Sequence, residues 1–408
     1  MKILVISNLY PPHNVGGYEV RCRQVVDRLI MRGHGVHVLT SNHRKAGVDD
    51  VEEPHVQRAL RIHGFFNHPW LPIWKLYRLE RDNHDVLAST LKHFSPDVVH
   101  VWNMGGISKS LLHRLERGAV PVVYDVSDHW IARSLKADVW LSWWNESGSL
   151  FRSIGRSFLA AIGVRKWIDR KVPTSSWEIL KFKRIYFCSA FLRGLTAKAG
   201  FNVEHGEVIY CGIETALFEK RTDWLSFDKL LWVGRMNEDK DPLTAIRALG
   251  EAHAQGLTNL SLHLYGHGDA DYMTMLQAEI SELGLGNSIE FRSVSATEMP
   301  KVYAEYDALL FTSNWGEPFA LTPLEAMAAG VPVILCPDGG DAELGQDRKN
   351  CILAKAGEPV SLASALSVLD ADEPLRVSIA QTARKQIVSS FDLEKITQEI
   401  DSYLVDSL

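Results

Sequence analysis

Two textures alternate along the chain. Short continuous apolar runs, Ile3–Ile6, Val36–Thr40, Val98–Val101, Val120–Tyr124 and Ile185–Cys188, predict strands. Between them apolar residues fall at helical spacing, as Val20, Val25, Leu29 and Ile30 do within Tyr18–Arg32. Strands that are apolar throughout, rather than at every second residue, are buried on both faces, so the expectation is a parallel sheet covered by helices. The same alternation restarts at Lys229–Val233. A chain of 408 residues has room for two such cores. The expected domains are 1–205, joined by a last helix at about 391–408, and 206–390. Helical spacing of Leu393, Ile396, Ile400 and Leu404 supports that last helix.

The most heavily punctuated stretch is Ala308–Leu335. An apolar strand, Ala308–Phe311, leads into Asn314-Trp315-Gly316-Glu317-Pro318-Phe319-Ala320-Leu321-Thr322-Pro323-Leu324-Glu325, and a helix then runs to Gly330. Thr322 suits the N-cap, Pro323 the first helical position and Gly330 the stop. A helix N-terminus just after a strand offers free N–H groups and a positive dipole end, which attract phosphate. Glu317 and Glu325 flank that place. Carboxylates beside an anion site suit hydroxyl donors, and a ligand carrying both diphosphate and hydroxyls is a nucleotide sugar. The competing reading is local: Thr322-x-x-Glu325 spells a capping box, which needs no ligand.

Other loops add candidates. Arg235 and Lys240 lie between the strand Lys229–Val233 and a helix opened by Asp241-Pro242. Together they could neutralise a departing diphosphate without a metal. Gly16-Gly17 sits at the first strand-to-helix turn, where backbone can approach a ligand. Asp128, His129 and Ser127 cluster after Val122–Val126. Gly266 belongs to a Gly-x-Gly turn, and Asp269-x-Asp271 is read as helix-start acids rather than a metal site.

These motifs resemble the retaining glycosyltransferases of family 4, the group 1 glycosyl transferases, which have the GT-B fold: two Rossmann-like domains facing each other across a cleft, the C-terminal helix crossing back to the first. The resemblance rests on Glu317 and Glu325 with seven residues between them, on Arg235 and Lys240, on Gly-Gly-x-Glu19 in the first loop, on Gly212-Ile213-Glu214 at the junction and on Gly339-Gly340-x-x-Glu343. It implies that Glu317 binds donor-sugar hydroxyls and Glu325 the ribose. Phe319, Ala320, Leu321 and Thr322 would meet sugar and phosphates through their backbone, with Gly16, Gly17, Arg235 and Lys240 on the diphosphate. Gly266 and Val294 would frame the base. Arg235, Lys240, Glu317 and Asp128 are the catalytic candidates, and Ser127 and His129 lie on the acceptor side. Two positions depart from the family: Ala320 stands where Gly is usual, and Ser127 where many members carry His. The expected activity is hexosyl transfer from a nucleotide sugar, UDP being the family's commonest carrier, to a glycan or lipid-linked glycan in surface polysaccharide synthesis. No cofactor and no metal are expected. A nucleotide-sugar epimerase or hydrolase, and a non-catalytic glycan-binding assembly partner, remain as alternatives.

Composition alters this little. A net charge of −6 argues against a general nucleic-acid binder. Five scattered cysteines without zinc-ligand spacing suit reduced thiols in a cytoplasm. No run reaches the length of a spanning helix. One segment differs: within 149–172, six basic residues face Asp169 alone, a local charge of +5, with Leu150, Phe151, Ile154, Phe158 and Ile162 at helical spacing. Such a helix either packs on its own domain with a solvated basic face or lies on an anionic membrane, so peripheral association at the inner face of the membrane is open. The aromatic stretch Phe65–Tyr77 is expected to be an acceptor-side loop.

Overall fold

The computed structural model describes residues 1–63, 71–133, 138–146, 148 and 150–408, without the side chains of Phe151 and Arg152. Residues 65–70 of the aromatic stretch Phe65–Tyr77 therefore lie outside the described residues, while Ile73–Tyr77, expected as loop, open the helix Ile73–Phe94, where the apolar Leu76 is buried. The chain forms two compact units, Met1–Ile209 with Thr397–Leu408, and Tyr210–Ile396.

In the first unit seven strands form one parallel sheet: β1 Lys2–Ser7, β2 Gly35–Ser41, β3 Val56–Leu60, β4 Val98–Val101, β5 Val122–Val126, β6 Arg184–Phe187 and β7 Glu207–Val208, in the order β3-β2-β1-β4-β5-β6-β7. Ile3, Leu4, Val5 and Ile6 are fully buried, as two-sided coverage requires. The helices used below from this unit are α1 Gly17–Met31, α2 Ile73–Phe94, α3 Leu150–Ala161 and α4 Val164–Asp169. β5 begins two residues later than the apolar run predicts. Pro121 has no N–H to give the ladder, so pairing starts at Val122, opposite Val99, and carries on through Asp125.

The second unit repeats the plan with six parallel strands: β8 Lys229–Val233, β9 Ser261–Tyr265, β10 Ile289–Arg292, β11 Ala308–Phe311, β12 Val333–Leu335 and β13 Ile352–Leu353, in the order β10-β9-β8-β11-β12-β13. Its helices α5 Pro242–Ala254 and α6 Ala270–Glu282 start as their sequences predict. Asp241 caps α5 by accepting from Thr244 N at 3.0 Å, and Asp269 caps α6 by accepting from Tyr272 N at 2.9 Å. Asp269 is thus the helix cap, and Asp271 lies in the first turn of α6, where a negative charge suits the helix dipole. The core joins Leu230, Trp232, Leu262, Leu264, Leu310 and Ile334 to the apolar faces of the covering helices. Each buried side chain of that kind contributes about 1.5–3 kcal/mol.

In both sheets the chain runs outward from its first strand and then returns to that strand's other side. Such a reversal leaves a crevice at the carboxyl ends of the two central strands, β1 and β4 in one unit and β8 and β11 in the other. The last helix, α8 Leu393–Val405, begins in the second unit. From Thr397 onward it belongs to the first, where Asp401 pairs with His34 at 2.9 Å and the Tyr403 hydroxyl donates to Ile185 O at 3.1 Å. Helix α7, Leu321–Ala328, lies between β11 and β12.

Candidate functional site

At the reversal point of the second sheet, the loop after β8 and the loop after β11 are laced together. Thr312 Oγ1 donates to Asp241 O at 2.7 Å and accepts from Trp232 Nε1 at 2.9 Å. Ser313 Oγ donates to Asp239 O at 3.2 Å, and Asn314 Nδ2 to Asp241 Oδ2 at 3.1 Å. These bonds bring Lys240 against Glu317: Lys240 Nζ donates to Glu317 Oε1, which also accepts from Ser313 Oγ at 3.1 Å. Lys240 also lies 5.7 Å from the Trp315 ring centre. Burial, then the nearby Arg235 charge, lowers the Lys240 pKa to about 8, while the Glu317 carboxylate in contact favours the charged form. Arg235 is exposed, with no side-chain partner among the described residues.

Helix α7 starts earlier than its sequence predicts. Its N-cap is Ala320, in extended conformation and with no side-chain cap, so Thr322 lies inside the first turn and no Thr322–Glu325 capping box forms. The side chains have another use. The buried Tyr303 hydroxyl donates to Glu325 Oε2 at 2.5 Å and lies near Thr322. Burial raises the Glu325 pKa, and the Tyr303 hydrogen bond draws it part of the way back. The first N–H groups of α7 are thus left without a side-chain acceptor, the condition under which a helix N-terminus can receive an anion. Gly330, at φ +74°, ends the helix as expected.

Two neighbouring loops reach the same crevice through glycine. Gly266, at φ +152°, follows β9 so close to Gly234 that a Cβ there would lie 1.8 Å from Gly234 O. Val294, after β10, is exposed. After β12, a Cβ on Gly339 would lie 2.2 Å from Glu317 O, and Gly340 N donates to that oxygen at 2.7 Å. Arg235, Lys240, Glu317, Glu325, Gly266 and the 319–322 backbone thus share one edge of one sheet. Sequence reasoning missed Thr312, Ser313, Tyr303 and Asp341. Tyr303 lies in a helical turn before β11 and carries no local signal; Thr312 and Ser313 follow a strand at the edge where binding residues concentrate, which was a usable one.

The first unit has a similar lacing. Asn8 N donates to Asn103 O at 2.8 Å, Asn8 Nδ2 to Gly105 O at 2.9 Å, and Asn103 Nδ2 to Asp128 Oδ2 at 3.3 Å. Behind it lies a closed network. Arg21 pairs with the fully buried Asp125 at 2.9 Å, and Tyr18 donates to Asp125 Oδ1 at 2.9 Å. Ser127 Oγ donates to Asp125 Oδ1 at 2.8 Å and accepts from Arg21 at 2.8 Å. The Ser127 proton is therefore committed to a buried carboxylate. His129 is buried and Asp128 half-buried. Gly16 and Gly17 are exposed at the start of α1, where Gly16 N already donates to Glu19 Oε2 at 2.9 Å. A concavity of about 580 Å³ lies elsewhere in this unit, at the amino-terminal end of β5, lined by Val120, Pro121 and Lys183. Parallel sheets present their binding residues at the opposite, carboxyl end.

Residues 15–217 match the family Glycosyltransferase Family 4, and residues 219–386 match Glycosyl transferases group 1. The chain is 24% identical to an uncharacterized glycosyltransferase of Methanocaldococcus jannaschii, over 98% of this chain and 96% of that protein. It is 25% identical to the glycogen synthase of Mycobacterium tuberculosis, over 97% and 92%. Among solved structures, Anabaena HepE in complex with UDP is similar at a TM-score of 0.69 and 20% identity, with 100% of both chains covered, a likeness of fold. The two matched regions meet within ten residues of the boundary between the two units and together take in nearly the whole chain, which therefore belongs to the group 1, family 4 glycosyltransferases of the GT-B fold.

Proposed function

We propose that this glycosyltransferase moves a hexosyl group from a UDP-sugar to a glycan or lipid-linked glycan, with retention at the anomeric carbon and without a metal. The observation that carries the donor site is the meeting of Lys240 and Glu317 beside the uncapped start of α7. A diphosphate brings more negative charge than one carboxylate, so it can take over Lys240 and release Glu317 to sugar hydroxyls. Arg235 and the α7 N–H groups add to the stabilisation of the leaving phosphate. Glu325, oriented by Tyr303, accepts from the ribose. UDP as carrier is supported by the similar fold that holds it in HepE.

In the reaction the bond from the anomeric carbon to the UDP oxygen breaks while an acceptor hydroxyl bonds to that carbon from the same face. Its proton passes to the leaving phosphate oxygen. Asp128 orients the acceptor hydroxyl in this reading, and Ser127, tied to Asp125, takes no part in proton transfer. UDP-, GDP- and ADP-sugars incubated with and without glycan and lipid-linked acceptors test the assignment. UDP release that rises with acceptor, giving a product of unchanged anomeric configuration by NMR, is the expected result. Release indifferent to acceptor would favour the hydrolase or epimerase.

The acceptor's setting is read from α3 and α4. Leu150, Ile154, Phe158 and Ile162 form one stripe, and all are more than half exposed, as are Trp167 and, on α2, Trp74. Lys166, Arg170 and Lys171 are exposed beside them. An apolar stripe bordered by lysine and arginine fits an anionic lipid surface, which supports a peripheral position at the inner face of the membrane. No helix among the described residues is long and apolar enough to cross one. Ile154→Glu with Phe158→Glu should abolish co-sedimentation with phosphatidylglycerol vesicles and leave UDP binding intact; undiminished sedimentation would remove this part of the reading.

A further inference from the structure

The loop after β12 carries a carboxylate that the donor site as described does not use. Asp341 is 1% exposed. Neither of its oxygens has a hydrogen-bond partner among the described residues. Buried carboxylates are rarely left so, because an unmet acceptor costs about 1–3 kcal/mol and more when charged. The amides of Asp338 and Asp341 itself lie near enough to offset part of the burial without completing a bond.

Its surroundings are those of the site. The two residues before it, Gly339 and Gly340, are pressed against the backbone of Glu317, and Asp338 Oδ2 accepts from Gly316 N at 3.1 Å. Asp341 and Lys240 are close enough for each to act on the other's charge. The loop thus wraps the segment that carries Glu317 and holds a second carboxylate behind Lys240. Burial, with the Asp338 charge adding to it, raises the Asp341 pKa to about 6, and Lys240 works the other way. At neutral pH the group is therefore mainly a carboxylate, an acceptor without donors. A phosphate has no proton to offer it and would be repelled. A sugar hydroxyl has one.

Resting on the donor reading above, we propose that Asp341 is a specificity-determining residue, accepting a hydrogen bond from one hydroxyl of the transferred sugar next to the hydroxyl held by Glu317. Uridine and diphosphate make no use of it. The Gly339 and Gly340 backbone just before it lies against Glu317, so the two carboxylates are held by one packed contact.

The test separates sugar recognition from nucleotide recognition. UDP affinity by calorimetry, and kcat/KM for the accepted UDP-sugar and for its 3-, 4- and 6-deoxy forms, are compared in the wild type, Asp341→Asn and Asp341→Ala. The expected result is a fall in kcat/KM of about tenfold to a hundredfold in both variants, with UDP affinity within about twofold. One deoxy donor should be equally poor for wild type and variants, since its missing hydroxyl and the missing carboxylate are the same interaction. A loss of UDP affinity matching the loss in kcat/KM would mark Asp341 as structural and overturn the proposal, as would unchanged kcat/KM. If Asp341→Ala unfolds, Asp341→Asn with the deoxy donors on wild type decides the matter: a wild type indifferent to every deoxy donor overturns it. Wild-type protein that binds no UDP-sugar would instead sink the donor reading on which it rests.

Discussion

The carboxyl edges of the two sheets are built alike and finished differently. In each, the loops after the two central strands are laced by hydrogen bonds, through Asn8 and Asn103 in one and through Thr312, Ser313 and Asn314 in the other. Behind the first lacing the charged groups answer one another: Arg21, Asp125, Tyr18 and Ser127 are joined by hydrogen bonds, with Arg21 and Asp125 at most 2% exposed. At the second, Arg235 stands exposed, α7 begins without a cap, Asp341 has no partner among the described residues, and Lys240 shares a carboxylate at a partly open surface. A closed network stabilises the fold, whereas an unfinished one is completed by a ligand. The difference points to the second edge as the place that binds charge.

Changing the closed network should produce the largest effect, and on stability. Arg21→Ala leaves Asp125 buried and unpaired, and breaking such a pair costs about 3–5 kcal/mol. Urea denaturation should show the midpoint falling accordingly. A loss under 1 kcal/mol would mean that the network is open to water and would erase the contrast. Lys240→Ala should do the reverse, keeping the denaturation midpoint within about 1 kcal/mol while turnover falls by about a hundredfold to a thousandfold.

A pH profile sharpens the second effect. The Lys240 pKa is depressed to about 8, so the free enzyme loses that positive charge as pH rises through 8, and kcat/KM should fall about tenfold per pH unit above it. Lys240→Arg, which does not titrate there, should flatten the fall while lowering the plateau. Glu317 in contact with Lys240 sets a lower bound for where the fall begins, since it favours the charged form. The smallest expected effect is that of Tyr303→Phe. It removes one hydrogen bond to Glu325 and should weaken UDP binding about fivefold to tenfold, read by calorimetry.

How much of this the sequence carried follows from the range of the interactions. The two sheets were legible because parallel strands buried on both faces read as continuous apolar runs, and Asp241-Pro242 and Asp269 announced their helices through local capping chemistry. The start of α7 misled for the same reason. Thr322-x-x-Glu325 has the local form of a capping box, but Tyr303, some twenty residues upstream, draws Glu325 away, and no local pattern records that. Ser127 likewise reads as a free hydroxyl until Arg21 and Asp125 close around it from another helix and strand. Arg235 and Lys240 were legible as a pair; that Lys240 would rest on Glu317 depends on the bonds between two loops far apart in sequence. The exposed stripe of α3 could be seen as amphipathic, but whether it was packed or open could only be seen in the fold.

The most direct measurement is UDP binding by calorimetry to the wild type and to two pairs of variants, Arg235→Ala and Glu325→Gln from the second edge, Ser127→Ala and Asp128→Asn from the first. The account predicts that the wild type binds UDP, that the second-edge changes weaken it by about tenfold or more, and that the first-edge changes leave it within about twofold. Binding lost through Ser127 or Asp128 and indifferent to Arg235 and Glu325 would contradict it.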